Sequence, residues 1–181
     1  MKSLVFFTLF CLLTFSSQSQ GSNTDKKGIY TAAIRFFFNG HSGSISVEDS
    51  TANHYIIGTN YTEIADQIKN GPPPQMDLSK MDSTWGKALR QADKIKYALR
   101  SCSLPVFATD SVEIQFIKSA DSPQQDYGIR IRFSNIILLK NKAIVELGVT
   151  RDILGGNGVL YFLEKRNGKW LIISAMETWI S

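Results

Sequence analysis

The stretch VLYFLEKRNGKWLIISA, residues 159–175, decides how the rest of the chain must be arranged. Its centre, Asn167-Gly168, is a strong hairpin signal, because a two-residue turn of this kind needs positive φ at both central positions. With that turn in place Arg166 faces Lys169. Alternation then puts Tyr161, Leu163 and Lys165 on one face with Trp170, Ile172 and Ser174, and Leu160, Phe162 and Glu164 on the other with Leu171, Ile173 and Ala175. Both faces are apolar, whereas an antiparallel sheet wetted on one side shows a polar face. Something therefore covers each side: helices of the same chain, a curl of the sheet, a bound apolar small ligand, a protein partner or a second copy of the chain. Tyr161, Leu163, Trp170 and Ile172 are marked as pocket or interface candidates on this ground.

Outward from the hairpin, everything after Pro105 reads as sheet. Val112, Ile114 and Phe116 alternate with Glu113 and Gln115, and Ile129, Ile131 and Phe133 alternate with Arg130 and Arg132. A further strand fits Ala143 to Thr150, with turns at Lys140-Asn141-Lys142 and Gly155-Gly156-Asn157-Gly158. Short connections of this kind predict an antiparallel meander. Before Pro105 the periods are helical. Trp85, Ala88, Leu89, Ala92, Ile95, Leu99 and Cys102 form one stripe, with Asp82 or Ser83 as its cap. Asn60 and Glu63 resemble a capping box for a short helix to about Lys69, which Asn70-Gly71 and Pro72, Pro73 and Pro74 stop. After a polar linker, Ser22 to Lys27, a first helix carries Ile29, Ala33, Phe36 and Phe37 up to Asn39-Gly40, although Ile34 to Phe38 also fit a strand. Ile45 and Val47 read as a short strand with Tyr55 to Ile57 as its partner. The expected class is α+β, with helices packed on a curved antiparallel β-meander of four to six strands.

Lys2 followed by the apolar run Leu4 to Phe15 and the small residues Ser17 and Ser19 reads as an export signal over residues 1–20, cleaved near Gln20. The run is shorter than the roughly 20 residues that a membrane helix needs, so no transmembrane segment is expected. Residues 21–181 are then one domain of ordinary size. A composition of 43% hydrophobic and 20% charged residues is that of a globular chain rather than a disordered one. The basic residues are scattered, which argues against nucleic acid as a partner. Beyond the leader Cys102 is the only cysteine, so no internal disulfide forms, and its place on the apolar stripe predicts a buried, inert thiol.

Candidate chemistry is sparse. His41 and His54, with Glu48 and Asp49 between them, match no ligand spacing, and no metal or other cofactor is expected. The glycines at 155, 156 and 158 join two strands rather than a strand and a helix, as a phosphate loop would. Arg130 and Arg132 share one strand face, which reads first as a solvated outer face and second as a pair that holds a carboxylate or another anion. Ser134 continues that face with no acid or histidine at a nucleophile's spacing. Trp170 and Trp179 suit either core packing or the wall of a cleft, and Asn60-Tyr61-Thr62 is a glycosylation sequon in a eukaryotic host.

The pieces IRIRFSNIILLKNKAIVELGV, GGNG, YFLEKRNGKWLI and the terminal WIS, within Tyr127 to Ser181, resemble uncharacterised small secreted bacterial proteins with a C-terminal antiparallel meander. That resemblance implies export and a sheet-rich second half, and brings no catalytic residue. EKRNGKWLI is also similar to the closing strands of NTF2-like and cystatin-like folds, in which helices pack on a curved sheet and sometimes enclose a pocket. The expected function is that of a periplasmic or extracellular, non-enzymatic binding protein. The alternative is a small pocket enzyme of NTF2-like type.

Overall fold

The computed structural model describes residues 21–39, 41–70, 78–118, 128–151 and 155–180, so the expected leader and the Pro72 to Pro74 stop lie outside the described residues. The class is α+β: four α-helices and an open sheet of seven strands among the described residues.

Helix α1, Asn23–Phe38, begins where a polar linker was expected, because the Ser22 hydroxyl accepts the Asp25 N–H at 3.1 Å and caps the first turn. It ends as expected at Asn39, which takes the left-handed conformation at φ 43°. Strand β1, Gly43–Glu48, follows. The expected strand partner at Tyr55 to Ile57 is instead a helical turn, α2, His54–Gly58. β1 has no edge left to offer it, since both sides are occupied by strands from later in the chain. Helix α3, Tyr61–Asn70, starts at the predicted cap, with Asn60 Oδ1 accepting the Glu63 N–H at 3.2 Å. Helix α4, Thr84–Ile95, is anchored by Asp82, which accepts the Thr84 N–H at 3.0 Å, and it tightens into a 3₁₀ turn over Lys96–Ala98.

Leu99 is extended, so Cys102 leaves the helical stripe on which its burial was predicted, and its thiol is exposed. The Cys102 backbone pairs with Thr51 and its thiol donates to Asn135 Oδ1 at 2.8 Å.

The remaining strands are β2 Val112–Ile117, β3 Ile129–Phe133, β4 Ile137–Leu139, β5 Lys142–Thr150, β6 Gly156–Arg166 and β7 Lys169–Ile180. Their order is β2-β1-β3-β5-β6-β7, with β4 pairing β5 beyond the end of β3. From β3 onward the pairing is the antiparallel arrangement that the turns predicted. β1 runs parallel to both β2 and β3, which makes the sheet mixed. Such a pairing requires a crossover, here made by α2, α3, α4 and the extended chain after them. The Asn167-Gly168 turn has positive φ at both residues (49° and 78°).

Each sheet face carries its own core. Tyr161, Leu163 and Trp170 pack with Ile131, Phe133, Val145 and Leu147 beneath Ile29, Tyr30, Ala33 and Ile34 of α1. Leu160, Phe162 and Ile173 pack with Ile144 against Ile64, Trp85, Leu89 and Ala92 of α3 and α4. A fully buried side chain of this size contributes roughly 1.5–3 kcal/mol, so both helical layers hold the hairpin firmly. Strict alternation fails at two points, between Gly158 and Val159 and between Phe162 and Leu163. A bulge after Leu163↔Ile172 brings Ser174 opposite Phe162 and Ala175 opposite Tyr161, exchanging the faces expected for these two residues.

Candidate functional site

α3 and α4 cover only part of their sheet face. Over the far ends of β3 and β5 the same face holds charge. On β3, Ile131 points into the core beneath α1, so Arg130 and Arg132 must emerge together on the opposite side. β1 lies beside β3 with Val47 opposite Ile131, and this register delivers the next residue, Glu48, to the two guanidinium groups. Glu48 is only 2% exposed. Arg132 grips it as a fork, Nε to Oε2 and Nη2 to Oε1 both at 2.7 Å, and Arg130 Nε donates to Oε1 at 2.9 Å. Donating these hydrogen bonds to the Glu48 carboxylate raises the Arg132 pKa further. The anion that this arginine pair holds is thus a side chain of the same molecule.

Glu146 of β5 stands on the same face, because its neighbours Val145 and Leu147 belong to the core under α1. It is 4% exposed, and burial pushes its carboxyl up to about 7, against hydrogen bonds from Thr178, Trp179 and the Ile56 backbone N–H. Thr178 Oγ1 donates to Oε1 at 3.0 Å.

Trp179 reaches this carboxyl because of a cross-strand row, Gly148 on β5, Gly158 on β6 and Trp179 on β7. A Cβ added at Gly158 would fall inside the indole, and one at Gly156 would stand 3.0 Å from it. The absent side chains let the ring fold back flat over β6 toward β5. The result is a cavity of about 140 Å³, walled by Glu48, Arg130, Arg132, Glu146 and Trp179 and by Ala52 from the segment after β1.

Ser134 lies at the break between β3 and β4, where its hydroxyl accepts the Glu146 N–H at 2.8 Å and donates to the Asn135 carbonyl at 2.9 Å. Both bonds are structural, and they hold Glu146 in register. His41 is exposed, and the His54 side chain lies outside the described residues. Gly156 and Gly158 lie within β6 beneath the indole rather than in an open loop. No group of metal-ligating side chains exists among the described residues.

The other pocket candidates sit across the sheet from Arg130 and Arg132. Tyr161 and Leu163 are buried beneath α1, and Trp170 Nε1 donates to Asp25 Oδ1 of that helix at 3.0 Å. Trp170 and Ile172 also border an open groove of about 1100 Å³ between α1, the chain at Val106 and the start of β7. Glu146 was missed, yet it is the only charged residue in AIVELGV, residues 143–149, a strand otherwise apolar on both faces. A lone acid in such a strand was the available signal.

Among the described residues no helix is long and apolar enough to cross a membrane. Compared with protein-family models, curated proteins and solved structures, the chain finds no match.

Proposed function

We propose that this chain is an exported, non-enzymatic binding protein that holds a small planar molecule in the cleft between β1, β3, β5 and Trp179. The observation that carries the reading is the set of polar groups converging on one small cavity in an otherwise packed sheet face: a buried Glu48 fixed by two arginines, a buried Glu146 and an indole laid over glycines. Ligand sites are typically concave and apolar, with a few well-placed polar groups. Export rests on the leader at residues 1–20, and the protein recovered from its producer is expected to begin near Gln20 by mass spectrometry.

The test is a titration with small ring compounds of every charge type, following the indole N–H resonance of Trp179 by NMR. At least one compound is expected to shift that resonance. A panel that leaves Trp179 unmoved, or that shifts only Trp170 in the groove beside α1, would overturn the proposal.

A second reading, a small pocket enzyme in the manner of the NTF2-like folds, is favoured by one observation. The Glu146 carboxyl titrates at about 7, where a general base works best. Recovery of the bound compound separates the two: unchanged for a binding protein, converted for an enzyme, with conversion abolished in Glu146→Gln.

A further inference from the structure

Resting on the reading of this cleft as a ligand site, we propose that its ligand is a small ring-bearing carboxylate, with the acid group at Arg132 and the ring against Trp179.

The size sets the ring. An apolar cavity of about 150 Å³ holds a benzene molecule, and this one measures about 140 Å³. Its aromatic wall is held in place from behind, since the Trp179 indole rests on the glycine row.

The charge sets the acid. Two guanidinium groups meet one carboxylate, Glu48, leaving an excess of positive charge in the cleft. A guanidinium carries five N–H donors in a planar fork suited to carboxylates. The grip of Arg132 on Glu48 uses Nε and Nη2 only, and its side chain is 53% exposed. Below neutral pH Glu146 adds little negative charge, because burial raises its carboxyl to about 7.

A cation would meet carboxylates that are already engaged. Both Glu48 oxygens are taken by arginine, and Glu146 already receives Thr178, Trp179 and the Ile56 N–H. Among the described residues, the charged or titratable groups around Glu146 are Glu48 from β1, Arg130 and Arg132 from β3 and Tyr61 from α3, whose own pKa is raised by burial and by the Glu146 charge. Of these, the two arginines favour an anion and outnumber the single Glu48 carboxylate.

The experiment compares benzoate, benzamide and benzamidine, one shape with negative, neutral and positive head groups, by calorimetry on the purified protein at pH 6. Benzoate is expected to bind at least tenfold more tightly than benzamide, to shift the Trp179 indole resonance, and to weaken several-fold in Arg132→Lys, which keeps the charge and loses the fork. Benzamidine is expected to show no heat. Benzamide matching benzoate, or benzamidine exceeding it, would leave the cleft as a site and overturn the carboxylate. Benzoate binding that neither moves Trp179 nor responds to Arg132→Lys would place it elsewhere and also overturn it. Silence from all three compounds would overturn the cleft reading as well. The three-compound comparison uses the unaltered chain, so it stands even where the variant fails to fold.

Discussion

Glu146 shows how a single side chain sets a property of the whole molecule. Its carboxyl is raised from 4.5 to about 7 because burial penalises the charged form more than three hydrogen bonds favour it. A raised pKa in the folded state means that the folded chain holds this proton more tightly than the unfolded one. The resulting stability is therefore complete below pH 4.5 and is lost as pH rises through 7. A shift of this size corresponds to about 3 kcal/mol. Glu146→Gln keeps an acceptor for Thr178 and removes the titration. Urea unfolding at pH 5 and pH 8 is expected to show a marked loss at pH 8 in the native chain and a smaller one in the variant. An equal loss in both would place the titrating group elsewhere.

Among the elements, β5, β6 and β7 position the site through the Gly148, Gly158 and Trp179 row. Gly158→Ala places a methyl group inside the indole, so the ring must leave β6 and release Glu146. Overpacking of this kind costs about 1–3 kcal/mol. The variant is expected to fold with lower stability and with red-shifted tryptophan emission, read by fluorescence during denaturant unfolding. Emission and stability both unchanged would mean that the indole does not lie on the glycines. The helices were more legible than this row. Asn60 and Asp82 occupy helix starts as their side chains suggest, whereas Trp179 and the glycines gain their meaning only from a three-strand register.

At the level of the whole molecule, one sheet carries two cores, and its protection from solvent is uneven. β5 and β6 lie inside the sheet under helices on both faces, while β2 is an edge strand. Amide exchange tracks local opening, which is slowest where backbone hydrogen bonds are buried. Hydrogen exchange by mass spectrometry is expected to leave the centres of β5 and β6 protected longest and to label β2 first. Protection of β2 equal to that of β6 would show that the β2 edge is covered in solution.

Local chemistry in the chain was enough for the class, the hairpin at Asn167-Gly168, most helix limits and the need to bury both sides of residues 159–175, because turns, caps and periodicity act between near neighbours. It placed Arg130 and Arg132 on one strand face, read first as solvated and only second as a carboxylate site, and could not identify Glu48 as that carboxylate. Their meeting depends on β1 pairing in parallel with strands far along the chain, and no period in the residues between reports it. Cys102 and Tyr55 to Ile57 went astray for the same reason, since the pairing of β1 on both sides and the end of α4 overrode the local pattern. The cleft belongs to long-range register. A buried acid becomes visible as a site only when the partners that surround it have been brought there by the fold.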